Sequence, residues 1–268
     1  MNNLLTRALT GFVFAVLILG SLFLSPWAVF VVLGGFTVVG LYEFHRLLNP
    51  EQPAGILYYF LGVSIYVLVA LVGMEVLEIS NYLLVFISFF ILIGAEIFHY
   101  PSPSWKRITL GITAFIYLSM PMGLLNSLYF AGGSGEAFPW VLFAFFILVW
   151  ANDVFAYLTG SIFGKHKLYE RLSPKKTWEG SLGGLVFTLI FAWGFSLLST
   201  SLNFSQWMGM GLIISIAANV GDLAESLLKR NAGVKDSGSF MPGHGGALDR
   251  FDAILFATPF VYFYLFVL

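Results

Sequence analysis

Most of the side chains able to do chemistry fall in one stretch, Asn219 to Asp252. In a chain that is only 10% charged, this stretch carries five carboxylates, four Lys or Arg and a histidine. Its first half has helical spacing. Asp222, Glu225, Ser226 and Lys229 fall at i, i+3, i+4 and i+7 and so share one helix face. Its second half is a loop punctuated by Gly and Pro, closed by Asp249 and Asp252 three residues apart as the next apolar run begins. Carboxylates converging from a helix end and a helix start, with Lys and Arg beside them and Asn219 as a further oxygen donor, suit a metal ion that holds phosphate groups. Such hard oxygen ligands favour Mg2+, which keeps several waters and bridges phosphates. The competing reading is a helix end whose charges pair among themselves, Asp222 and Glu225 with Lys229. If Asp249 and Asp252 converge on the same place, three aspartates share few inward-pointing basic partners, which weakens that arrangement.

Three further features carry polar chemistry. Asn152-Asp153 sits inside an apolar run, where an ionised carboxylate costs about 2.5–3.5 kcal/mol and needs a partner or a watery cavity. On a continuous helix Asp153 lies about 16 Å from Gly164, so the cavity must reach roughly halfway into a bilayer. A structural hydrogen bond to a neighbouring helix is the alternative. Ser173-Pro174-Lys175-Lys176-Thr177-Trp178-Glu179-Gly180 precedes another apolar run. There Ser173 and Thr177 are expected as helix caps, Pro174 as a first helical residue, and Glu179 in the first turn where the helix dipole favours it. A helix start carrying two lysines is a good anion site, although the same lysines also serve as a membrane anchor. His244, in Pro242-Gly243-His244-Gly245-Gly246, suits either a structural donor or a phosphate contact. Gly233 and Gly238 have the spacing of a phosphate-binding loop, but no Lys follows Gly238, which excludes a Walker A motif.

These groups must be positioned by a membrane-embedded scaffold. The 268 residues are 59% apolar and 18% aromatic, with a mean hydropathy of +0.88; soluble domains carry about 25% charged residues. Thirteen basic against fourteen acidic residues argue against nucleic-acid binding through bulk charge. The absence of cysteine excludes disulfides, thiolate catalysis and Cys-based zinc sites. Nine apolar runs are long enough to be spans, near 8–24, 27–42, 56–73, 82–98, 108–130, 139–163, 181–198, 207–228 and 253–268. The first follows a single Arg7 and reads as a retained span, not a cleaved signal. With the N-terminus inside, all 13 basic residues fall in inside connections. This predicts an all-α polytopic membrane protein, N-terminus cytoplasmic and C-terminus outside. Residues 1–138 read as hydrophobic scaffold and 139–268 as the region bearing the site, within one continuous membrane domain. No repeat stands out.

The pattern Ser226-x-x-Lys229-Arg230-x4-Lys235-Asp236-x-Gly238-x3-Pro242, followed by His244-Gly245-Gly246-x-x-Asp249-Arg250-x-Asp252, resembles the signature of the phosphatidate cytidylyltransferase (CDP-diacylglycerol synthase) family. Ser173–Gly180 and Asp153 resemble that family's other marked positions, and the hydrophobic N-terminal half is similar too. Met241 and Ala247 depart from the pattern, which has larger or branched aliphatics there; both are expected to be packing positions. The resemblance implies transfer of the cytidylyl group of CTP to phosphatidate, giving CDP-diacylglycerol and pyrophosphate. It implies catalytic roles for Asp222, Lys229, Asp249 and Asp252, and Mg2+ held by Asp153, Asp222, Asp249 and Asp252, with a monovalent cation such as K+ as a possible second ion. Substrate contacts would come from Ser173, Lys175, Lys176, Thr177 and Glu179, then from Ser226, Arg230, Lys235 and Asp236, and finally from His244, Gly245, Gly246 and Arg250. It further implies a homodimer in the bacterial inner membrane, with membrane lipid around it and the site facing the cytoplasm.

The physics is compatible with that reaction. A lipid phosphate is already a nucleophile, so the protein needs metal and cationic clamps on a triphosphate and in-line positioning. An ion-coupled transporter using Asp153, Asp222 and Glu225 is disfavoured by the lack of inverted repeats and by charges gathered at span ends. A lipid or polyprenol kinase shares the same metal-phosphate logic. The topology is directly testable in this cysteine-free chain. A thiol at Ser237→Cys is expected to react with an impermeant reagent only in inside-out vesicles, and one at Ser134→Cys only from the opposite side. Labelling of the Ser237→Cys thiol from outside intact cells would overturn the orientation.

Overall fold

The computed structural model describes residues 3–99, 101–132, 138–243 and 245–267. Among them the chain forms nine helical rods and one small β-ribbon. The rods are α1 (Asn3–Leu24), α2 (Pro26–Leu48), α3 (Ile56–Gly73), α4 (Leu83–His99, entered through a 3-10 turn), α5 and α6, α7 (Trp140–Phe163), α8 (Trp178–Leu198), α9 (Phe204–Asn231) and α10 (Leu248–Phe266). Helices α5 (Trp105–Ala114) and α6 (Met120–Ser127) run on through a π turn, Phe115–Ser119, as one rod. Each rod corresponds to one apolar run of the sequence. Seven are long and apolar enough to cross a bilayer, which makes this an all-α polytopic membrane protein. Leu9–Leu24 is a shorter apolar helix, and α10 opens with charged residues in its first turns.

Helix limits follow local chemistry. Ser25 caps α2, its hydroxyl accepting from Ala28 N, with Pro26 at the first helical position. Asn203 and Gln206 form a reciprocal capping box at the start of α9. At its end, Gly233 takes φ +70°, and Val234 N–H turns back to the Lys229 carbonyl.

The connection after α7 is a correction to the sequence reading. Lys167–Tyr169 (β1) pairs antiparallel with Ser173–Thr177 (β2). Ser173 therefore begins a strand and does not cap a helix, and Pro174 lies within the strand. Both strands of a two-stranded ribbon are edges, so a residue without an N–H is tolerated there. Thr177 alone is the cap, its Oγ1 accepting from Gly180 N at 3.1 Å.

Packing divides the chain into two compact units, Met1–Ser127 with Lys235–Asp249, and Leu128–Val234 with Arg250–Leu268. In the first, α2 packs on α1 and α3, and α3 on α6, around buried Leu41, Phe44, Tyr66 and Phe115. The loop Lys235–Asp249 packs with these N-terminal helices. In the second, α7, α8 and α9 pack together. Phe155 and Phe187 stack with centroids 3.9 Å apart, and Ser215 of α9 donates to buried Asn152 Oδ1 of α7 at 2.8 Å. Helix α10 closes on α9 at Gly221, where a Cβ would come within 2.6 Å of the Asp252 carbonyl.

The α7–α8 contact leaves no room at Gly184: a Cβ there would lie 2.8 Å from Asn152 Oδ1, whereas one at Gly194 of the same helix meets nothing within 4 Å. Gly184→Ala is therefore expected to destabilise the protein by about 1–3 kcal/mol, and Gly194→Ala to stabilise it by about 0.5–1 kcal/mol. Thermal unfolding in detergent checks both signs.

Candidate active site

In the second unit, three helices and the ribbon deliver a cluster of charges. Lys176, on β2, pairs its ammonium with Asp222 of α9, both side chains being 24% exposed. Asp153 of α7 faces Asp222, Lys176 and Arg250. Asp252 of α10 faces Asp222, Glu225 and Asp153. Glu225, buried on α9, takes the Lys229 ammonium one turn along. Asp153 is accessible by its surface exposure. Four carboxylates (Asp153, Asp222, Glu225, Asp252) thus meet three cations (Lys176, Lys229, Arg250) within one helical unit. Carboxylates pressed together repel unless a positive charge sits between them. Lys176 fills that role towards Asp222.

The ribbon that carries Lys176 is itself latched. The Glu179 carboxylate accepts from the backbone N–H groups of Lys165 and His166 and meets His166 Nδ1 at 2.6 Å. Glu179 therefore ties the start of α8 to the connection leaving α7, a job distinct from the substrate contact expected of it. Asn219, read from sequence as an oxygen ligand, has both ends of its amide engaged. Its Oδ1 accepts from Ser181 Oγ at 3.0 Å, and its Nδ2 donates to the Ser215 carbonyl at 2.8 Å. Of the pair Asn152-Asp153, the amide makes the structural bond to a neighbouring helix and the acid joins the charge cluster.

The remaining expected residues are dispersed. Lys175 is exposed on β2, Ser173 and Ser226 are half-buried, and Lys235 and Asp236 are exposed where the loop begins. Arg230 donates to the Val234 carbonyl at 3.2 Å, closing the end of α9. His244 lies outside the described residues, as does Ser134. Among the described residues no three carboxylate or imidazole groups converge at metal-ligating distance.

In the first unit, Asp249 organises the loop. Its Oδ2 accepts from Ser237 N (2.9 Å), Ser237 Oγ (2.9 Å) and Gly246 N (2.8 Å). Gly245 takes φ +86°, and a Cβ there would lie 2.6 Å from the same oxygen. Gly245 and Gly246 thus have tight-turn and close-approach roles around Asp249, independent of any substrate. Met241 and Ala247 are buried packing positions. Ser237 is buried too, so exposed Ser239 is the better position for the thiol reporter. One acid escaped the sequence reading. Glu43 of α2 is 3% exposed and accepts from Leu248 N at 3.0 Å. It stands just past the apolar run 27–42, beside His45 and Arg46 near the end of α2, where it reads as an ordinary charged span end.

Acids and cations gathered on the late helices of a membrane protein have the chemistry to hold phosphate groups. The family can be named. Residues 5–268 match the model of the cytidylyltransferase family, and the chain belongs to that family. A phosphatidate cytidylyltransferase of Haemophilus influenzae is 34% identical over 284 residues, covering 98% of this chain and 99% of the relative. One of Staphylococcus aureus (strain COL) is 41% identical over 158 residues, 58% of this chain and 60% of that protein. One of Staphylococcus saprophyticus is 36% identical over 201 residues, 74% of each. The matched stretch thus spans about 60% of the length of the staphylococcal relative from strain COL and almost all of the Haemophilus one.

If Lys176 and Asp222 act as one unit, their removal is not additive. Lys176→Ala and Asp222→Asn are each expected to lower stability, and the double variant to be more stable than the sum by about 0.5–3 kcal/mol. Agreement with the sum within about 0.5 kcal/mol in thermal unfolding would show that the pair does not couple.

Proposed function

We propose that the protein transfers the cytidylyl group of CTP to phosphatidate, giving CDP-diacylglycerol and pyrophosphate. The observation that carries this reading is the cluster of Asp153, Lys176, Asp222, Asp252 and Arg250 within a helical membrane protein of the cytidylyltransferase family. An oxygen of the lipid phosphate attacks the α-phosphorus of CTP, the α–β P–O bond breaks, and pyrophosphate leaves. The chain supplies no nucleophile because the lipid brings one. Its work is to hold two polyanions in line, which Lys176 and Arg250 do as cations.

The oxygen-only donor set and its excess of negative charge fit Mg2+. Asp153, Asp222 and Asp252 are the residues that would hold the ion. An ion held there would supply positive charge against that developing on the triphosphate. A monovalent cation such as K+ is a further candidate for the same oxygens. Beside the cluster, a cavity of about 420 Å3 runs between α8 and α9, lined by Trp178, Leu182, Leu185, Ile216, Val220 and Leu223 among others. Its apolar walls suit lipid chains. A cytoplasmic position of the cluster in the inner membrane is supported by the placement of all basic residues in inside connections. A homodimer belongs to the same proposal.

The deciding assay follows label from CTP into lipid with purified protein. CTP labelled at the α-phosphorus is expected to leave its label on phosphatidate, and γ-labelled CTP to leave none. Lipid labelled only from the γ position would identify a kinase and refute the proposal.

A further inference from the structure

The acid that sequence reading passed over stands under the family's signature loop. Glu43 is buried in α2, and its carboxylate lies between two glycines of that loop. A Cβ on Gly238 would overlap Glu43 Oε1, and one on Gly246 would overlap Oε2 and Ser237 Oγ. Oε2 accepts from Leu248 N at 3.0 Å, an N–H in the first turn of α10 that has no partner within its own helix. Oε2 also lies 3.3 Å from Ser237 Oγ, while that hydroxyl is 2.9 Å from Asp249 Oδ2. One hydroxyl carries one proton, so the shorter contact takes it, and Ser237 is held between two carboxylates. Among the described residues no donor reaches Glu43 Oε1. A charge buried with one oxygen unserved is costly, and the contacts that offset this cost all lie in the loop Ser237–Leu248.

We propose that Glu43 is a positioning residue for cytidylyl transfer: it fixes Ser237, Gly246 and the start of α10, and through them sets where the Asp249 carboxylate is held. Asp249 Oδ2 is bound by Ser237 and Gly246, the same residues that close on Glu43. A shift of Glu43 therefore moves both of its clamps. Helix α2 is remote in sequence from the signature, so the N-terminal rods contribute directly to the loop's geometry instead of serving only as membrane filler. The inference rests on the activity proposed above.

The test uses full-length protein in detergent with CTP, phosphatidate and Mg2+. Wild-type turnover is the check on the proposed activity; without it that proposal fails, independently of Glu43. Given wild-type turnover, Glu43→Ala is expected to lower kcat about a hundredfold, with KM for CTP changed less than about threefold. Glu43→Gln keeps an acceptor oxygen for Leu248 N and is expected to recover most of the loss, because geometry and not charge is what Glu43 provides. Gly238→Ala displaces the carboxylate without removing it and is expected to lower kcat in the fraction that remains folded. A thiol at Ser239→Cys is expected to react faster in the Glu43→Ala background than in the native one. Wild-type kcat in folded Glu43→Ala, or equal losses in Glu43→Ala and Glu43→Gln, would overturn the proposal. If Glu43→Ala does not fold, Gly238→Ala decides, and full kcat in that variant overturns it.

Discussion

An ionised carboxylate among apolar helices survives only where other charges or dipoles replace the water it has lost. Much of the second unit can be understood as the means of meeting that demand at Asp222. The ammonium that neutralises Asp222 comes from Lys176, on a strand only five residues long. The strand is held by its antiparallel partner at one edge and ends in Thr177, which caps α8. Glu179 then binds the backbone on the other side of the ribbon through Lys165 and His166. Cap, latch and ribbon together place one Lys against one Asp. The pairing of α7 with α8, fixed by Gly184 against Asn152, brings Asp153 to the same cluster.

The same constraint recurs in the first unit, with backbone in place of an ammonium. Asp249 is served by two N–H groups and a hydroxyl, and Glu43 by the first turn of a helix. Loops that bind a carboxylate through N–H groups need glycine where the chain must approach closely or take φ above zero, and Gly245 meets that requirement at +86°. The glycines of the signature are therefore explained by internal acids before any substrate is considered.

Hydrophobic period and charge placement made the rods legible, because bilayer thickness sets their length and nothing else in the sequence imitates runs of that kind. The acidic face of α9 was legible for a similar reason: Asp222, Glu225 and Lys229 share a face on any helix. Short-range polar pairing was not legible. Ser173 looked like a cap, yet its pairing with Tyr169 across the ribbon outweighed its local preference. Asn219 looked like a ligand because sequence shows the amide but not Ser181 and Ser215 on either side of it. Glu43 was missed because its partners lie about two hundred residues away.

The central claim is that the acids around Asp222 form a cation site that serves phosphate transfer. Manganese(II), a paramagnetic substitute for Mg2+, allows that claim to be tested without turnover. Binding of Mn2+ to purified protein, followed by its electron paramagnetic resonance spectrum, is expected to tighten when CTP is added and to weaken at least tenfold in Asp222→Asn and Asp252→Asn. Unchanged Mn2+ affinity in both variants, with and without CTP, would contradict the account.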